Sequence, residues 1–310
     1  MSGLYPGGRR TDPLRPRVRI RAHLTLCFFY LKFVSLCAKA SLMAEPTDQN
    51  LTKIIEAALR GSGFPFQTAV RHAIRTHPAK YGIHASEYPW RNRKNEDSFL
   101  DLVANNRQLV LTVECKKTKQ EKYVFLLPLG GANTGEISDF RCLRLDVEPD
   151  TKAARVCCET HELDPQCPAA EFCVVSTNNK ERMLERDAAM LISATDAFAH
   201  DKLEWQKLII PPPFLIVPIL ITNAEIYTVR YEPTEVSLKW GEFEKMPQEQ
   251  NHVPWIRFAK TFVAGSGRDI GSRSLFVVNA SHLDEFLRKL DQLSWRHPGR
   301  NSVLLPQPVR

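Results

Sequence analysis

Most of the short signatures that mark common enzyme classes are missing from this sequence. There is no Gly-x-Ser-x-Gly elbow and no Gly-Lys-Ser/Thr phosphate loop, which removes the exposed-serine hydrolases and the P-loop nucleotide enzymes. The glycines of Gly265-Ser-Gly267-Arg-Asp-Ile-Gly271 have the wrong spacing for a dinucleotide fingerprint and read as a loop. The eight cysteines include no Cys-x-x-Cys pair. The one zinc candidate is the cluster Cys157, Cys158, Cys167 and Cys173 with His161, and reduced thiols in a cytoplasmic protein are the preferred reading. No internal repeat is evident. Pro211, Pro212, Pro213 and Pro218 interrupt the most apolar stretch of the C-terminal half, so residues 43–310 are read without a membrane helix.

Net charge is also lacking where the fold should lie. The formal charge is +7, but residues 1–42 hold eight basic side chains against the single acid Asp12, which leaves residues 43–310 at zero. Global charge therefore names no partner, and only local patches can. Residues 1–42 combine an Arg-rich start, the apolar stretch 24–38 and Ala38-x-Ala40. Pro13, Pro16 and Lys32 interrupt that pattern, so the segment is read as a disordered or non-native extension, with Met43 as an alternative start. If 1–40 is instead a true secretory signal, the protein is exported and the cysteines form disulfides.

What is present is a mixed pattern of helices and strands. Apolar residues at 51, 54, 55, 58 and 59 predict a helix over 51–63 carrying Glu56, and 69–77 predicts a second, halted by Pro78. Residues 78–98 read as loop. Strands are expected at 98–104, 109–115, 122–129 and 140–147, with a surface excursion over 148–170. A long helix follows at 180–208, then strands at 213–222, 225–231, 255–262 and 274–279. A last helix, capped by Ser281, ends near 293. These alternations predict one α/β domain over 43–310, with a core motif at 51–128 and an elaboration at 131–295 that adds strands and the long helix.

The chemistry gathers in FLDLVANNRQLVLTVECKK, residues 99–117. Asp101 lies on one predicted strand, and Glu114 and Lys116 lie on the next. Alternation sends Glu114 and Lys116 to one face and Cys115 to the other. Pairing 103 with 110, or 104 with 107, puts Asp101 on the face of Glu114, whereas a one-residue slip sends it to the opposite side. Two carboxylates, with the backbone carbonyl of Cys115, supply the hard oxygen donors that Mg²⁺ or Mn²⁺ prefers. Lys116 is placed to assist a nucleophilic water or stabilise charge on a phosphate, and Glu56 is a candidate fourth member.

This order resembles the PD-(D/E)XK, or restriction-endonuclease-like, nuclease superfamily, in which a helix with Glu precedes a strand Asp and a neighbouring strand ends in Glu-x-Lys. The likeness spans residues 51–128 and extends to uncharacterised bacterial members through the loop Glu87-Tyr-Pro-Trp90. Leu100 stands where the family has Pro before the Asp. The resemblance implies a mixed sheet flanked by helices, a Mg²⁺ or Mn²⁺ cofactor and hydrolysis of phosphodiester bonds, DNA ahead of RNA. It implies Asp101, Glu114, Lys116 and Glu56 as the catalytic set. The alternative is an inactive module of the same fold that binds nucleic acid or serves as a scaffold.

Basic residues flank the motif. Arg91 and Arg93, with Lys117 and Lys119, are expected along a nucleic-acid backbone, and Trp90 is expected to stack on bases. Burial of Trp90 in the core is the competing reading. His72, His77 and His84 are expected at the surface.

Overall fold

A computed structural model of the chain describes residues 48–92, 94–106, 109–119, 122–130, 137–147, 154–175, 183–201, 204, 206–208, 213–247, 249–263, 270–291 and 303–304. The extension 1–42, Arg93 and most of the 265–271 loop lie outside them. Two compact units are present, Met1–Arg60 and Gly61–Arg310. The first contains nearly all of helix α1 (Asp48–Gly61), whose stripe Leu51, Ile54, Ile55 and Leu59 is exposed.

The second unit is an α/β fold whose centre is a mixed sheet. Helix α2 (Phe64–Thr76) has Pro65 in its first turn, where a missing N–H costs nothing, and buries Val70 and Ile74 one turn apart. Strands β1 (Gly82–Arg91), β2 (Asp97–Asn106) and β3 (Leu109–Lys116) then form an antiparallel meander. β4 (Lys122–Pro128), β5 (Ile137–Val147), β6 (Ala154–Cys167), β7 (Ala169–Ala170) and β8 (Phe172–Val175) precede helix α3 (Met183–His200). β9 (Phe214–Thr222), β10 (Glu225–Tyr231), β11 (Gln250–His252), β12 (Trp255–Val263) and β13 (Ile270–Asn279) lead to helix α4 (Leu283–Asp291) and β14 (Val303–Leu304).

β9 is the axis of the large sheet, whose order is β1-β2-β3-β9-β13-β12-β7. Every residue of β9 is buried, as expected of a strand covered on both faces. One edge pairs with β3 in parallel. The other edge is divided: β5 pairs with Phe214–Ile216, and β13 with Ile219–Thr222. Pro218 lies at the division, with no N–H to give either neighbour. A smaller sheet, in the order β11-β10-β4-β8, forms its own hydrogen-bonded ladder.

Two apolar layers cover the large sheet. On one face Val70 and Ile74 of α2 and Phe286, Leu287 and Leu290 of α4 pack on Leu111, Val113, Ile219 and Phe276. On the other, Leu184, Leu191 and Phe198 of α3, with Tyr123, Phe125 and Ile226 of the small sheet, pack on Val103, Val110, Ile216 and Val277. Thr112 joins the second layer through a 2.7 Å hydroxyl–hydroxyl contact with Thr195 of α3.

Two segments differ from their sequence reading. The 78–98 stretch contains a ten-residue strand, β1. Its His84, Ser86, Glu87 and Pro89 disguise it, yet Tyr88 and Trp90 alternate into the core, and an edge strand tolerates Pro. The 148–170 stretch contains β6 and β7. Two of its polar side chains are buried instead of facing water: Glu159 lies 3.5 Å from Arg144 on the neighbouring strand and 3.4 Å from His161 on its own. The last helix also starts differently: Asn279 accepts from the Ser281 N–H, a 3-10 turn follows, and α4 begins at Leu283.

Candidate functional site

The site grows from an interruption in the meander. β2 and β3 pair Leu102 with Val113 and Val103 with Thr112. This is neither register considered above, but its parity is the same, and Asp101 lies one step beyond the last pair, where the alternation breaks because Leu100 and Leu102 pack in opposite layers. The regular pairing stops at that step, and side chains take over. Asp101 Oδ2 accepts the backbone N–H of Cys115 at 2.6 Å, and Gln67 Nε2 on α2 donates to the Asp101 carbonyl at 3.2 Å. On the other flank, Ser86 pairs with Leu102 and Tyr88 with Leu100, while Glu87, opposite Asp101, takes a left-handed φ of 55°. A carboxylic acid side chain at such a φ is uncommon.

Lys116 completes the cluster. Its Nζ lies 2.8 Å from Glu114 Oε1 and 3.5 Å from Oδ1 of Asp187, a buried acid in the second turn of α3. Burial raises the Glu114 carboxyl, the charge of Asp101 adds to that, and Lys116 does not fully offset them, so Glu114 is pushed up to about 7. Burial likewise holds Asp101 and Asp187 above the ordinary carboxylate range. Burial acts to lower Lys116, but Glu114, Asp187 and Asp101 together outweigh it, and the ammonium stays above its usual value. Three half-buried or buried carboxylates therefore share one cation.

Asp187 and Gln67 were not singled out from the sequence. A signal for Asp187 existed: it falls between Leu184 and Leu191 at helical spacing, an acid inside a buried stripe. Gln67 carried no such mark.

The remaining expected residues divide. The Cys115 thiol turns toward the α2 layer, where burial raises it above its ordinary value. Within a strand the carbonyl of a residue points the same way as its N–H, so the Cys115 carbonyl faces the side of Asp101. Trp90 is 8% exposed and packs in the core, which corrects its expected role as a stacking platform. Tyr88 is buried too, its hydroxyl donating to Asp201 at 3.1 Å. Arg91 is exposed and held by Asn95 and Asp97. Lys117 and Lys119 are exposed just past β3, and Lys117 donates to the Ser62 carbonyl. Glu56 stands on α1, half exposed and 3.6 Å from Arg60. His77, expected at the surface, is buried against the Asp284 carbonyl, and His84 pairs with Glu204 at 3.3 Å.

Among the described residues no group of three or more His, Cys, Asp or Glu side chains is placed to hold a metal ion. This corrects the zinc candidate. Cys157, Cys158, Cys167 and Cys173 are buried and not joined in disulfides, and Cys158 accepts from Arg273 at 2.8 Å and Arg141 at 3.3 Å. A pair such as Asp101 and Glu114 is a different case, because Mg²⁺ keeps several waters and needs only one or two protein carboxylates.

Fold and site together define an α/β protein with a mixed sheet and an acid-rich, lysine-containing cluster at the end of a central strand. No protein-family model, no curated protein and no solved structure matches the chain. Among the described residues no helix is long and apolar enough to cross a membrane.

Proposed function

We propose that this protein is a metal-dependent nuclease that hydrolyses phosphodiester bonds, DNA ahead of RNA, with the restriction-endonuclease-like core that its motif resembles. One observation carries the reading: Asp101 lies close enough to raise the Glu114 carboxyl, and Lys116 Nζ is 2.8 Å from Glu114, so that two acids and an ammonium gather at the end of the hairpin. The donor set fits a hard divalent cation. Two carboxylates and the Cys115 carbonyl would hold it, and the Glu114 carboxyl, raised first by burial and then by the charge of Asp101, would be ionised by a bound cation. When bound, such a cation acidifies water and offsets charge on the phosphate.

The chain's own groups supply the rest. Water adds to phosphorus, the P–O bond to one strand end breaks, and that oxygen leaves with a proton. Lys116, charged throughout the physiological range, orients the attacking water or balances charge on the non-bridging oxygens. Asp101 also holds β3 in place through Cys115, and Gln67 braces Asp101 from α2. Gln67 thus braces the site from α2, not from the helix that carries Glu56. Exposed Lys117 and Lys119 beside the site suit a phosphate backbone.

The rival reading is a module that binds nucleic acid without cutting it. It draws on the Lys116 ammonium, which already bridges Glu114 and Asp187 as a built-in counter-ion. A Mg²⁺-dependent cleavage assay separates the two. Asp101→Asn and Lys116→Ala should each lower cutting by roughly 100-fold or more. Unchanged cutting by both variants overturns the assignment, and binding with no cleavage under any divalent metal favours the rival.

A further inference from the structure

The proposed function gives Asp187 no part, yet no other residue outside the hairpin forms a described ion pair with Lys116. Asp187 is buried on α3, with 7% of its side chain exposed, and its Oδ1 is 3.5 Å from the ammonium. α3 itself is fixed on the sheet by Leu184, Leu191 and the Thr195–Thr112 contact. The carboxylate is thus a rigid post beside a flexible four-carbon stem.

The geometry raises a conflict. The closest partner of Lys116 is Glu114 at 2.8 Å, and Glu114 is one of the two carboxylates proposed to hold the cation. Once Glu114 is engaged in that way, its charge no longer serves Lys116, and two like charges come close together. An ammonium with no other anchor would swing into solvent, because 29% of the side chain is already exposed. Asp187 offers a second anchor within reach and is not itself part of a three-ligand cluster among the described residues.

We propose that Asp187 is a positioning residue that takes over the Lys116 ammonium when Glu114 binds a divalent cation, so that Lys116 stays beside the reacting phosphate. The role belongs to a residue of α3, outside the Asp and Glu-x-Lys motif, and rests on the reading of the site given above. Removing Asp187 should leave Lys116 leaning on Glu114 alone, in competition with the cation. Removing Lys116 should abolish that competition and with it any need for Asp187.

The test is Mn²⁺ titration of the full chain by calorimetry or electron paramagnetic resonance, without substrate, followed by cleavage kinetics. Asp187→Asn should weaken Mn²⁺ binding and lower kcat, each by roughly 10- to 100-fold, the range seen when groups that orient an active residue are lost. KM should change little. Asp187→Glu, which keeps the charge, should restore most of both. In the Lys116→Met background, Asp187→Asn should have no further effect on Mn²⁺ binding. An equal loss with or without Lys116 overturns the proposal, because Asp187 would then act on the metal or the fold directly. Failure of Asp187→Glu to do better than Asp187→Asn overturns it as well. If the wild-type chain takes up no Mn²⁺ at all, the reading of the site fails first, and the role of Asp187 fails with it.

Discussion

The carboxylate of Asp101 accepts the backbone N–H of Cys115 at 2.6 Å, where the β2–β3 ladder gives way. A side chain considered for metal binding therefore also fastens the strand that carries Glu114 and Lys116, and structure and chemistry must be separated when it is mutated. In chelator, Asp101→Asn keeps an acceptor for that N–H and removes a buried charge, whereas Asp101→Ala leaves the N–H without its partner. Urea unfolding should find the Ala variant less stable than the Asn variant by about 1–3 kcal/mol. Equal stabilities would mean that the hydrogen bond contributes nothing.

Glu114 gives the site a pH signature. Its folded value, about 7, lies above its ordinary 4.5, so the folded state holds this proton more tightly than the unfolded one. A raised carboxyl adds stability at low pH that is lost as pH climbs from about 4.5 through about 7. In chelator the wild-type urea midpoint should fall across that window, and Glu114→Gln should flatten the fall. Divalent cation should reverse the trend, since its uptake requires the ionised form. Identical pH profiles for wild type and Glu114→Gln would exclude Glu114 as the titrating group.

The Thr112–Thr195 contact ties α3, and so Asp187, to β3. Thr195→Val leaves the Thr112 hydroxyl buried without this partner and should cost about 1–3 kcal/mol. The double variant Thr112→Val/Thr195→Val should recover part of that loss, because neither polar group then remains. Thermal or urea unfolding of the three variants reads the cycle directly, and strict additivity would argue against the contact.

Trp90 belongs to the core rather than to a nucleic-acid surface. Trp90→Ala should cost about 3–5 kcal/mol, as truncation of a large buried aromatic does. Nucleic-acid affinity of the protein that remains folded should be unchanged. Selective loss of affinity at full stability would restore the stacking role.

The hairpin was legible because two apolar runs flank a short polar turn, and alternation along β3 puts Glu114 and Lys116 together. The observed register has the parity of both registers considered from sequence, but the alternation of β2 breaks at Asp101, where Leu100 and Leu102 pack in opposite layers. β1 was not legible, since Pro89, Glu87 and His84 mask an alternation of only two large aromatics. β6 was hidden for a related reason: Glu159 and His161 are buried beside one another and Arg144 of β5, and the sequence shows the charges without the partners. Asp187 contributes through a contact 71 positions from Lys116 in the chain, which local periodicity can hint at and only the fold can make.

The central claim is that Asp101 and Glu114 hold a divalent cation, and a crystal of the full chain soaked in Mn²⁺ tests it most directly. An anomalous peak beside both carboxylates, lost in the Glu114→Gln protein, is the expected result. Well-ordered Asp101 and Glu114 side chains with no peak between them, at Mn²⁺ concentrations that saturate known two-carboxylate sites, would contradict the account.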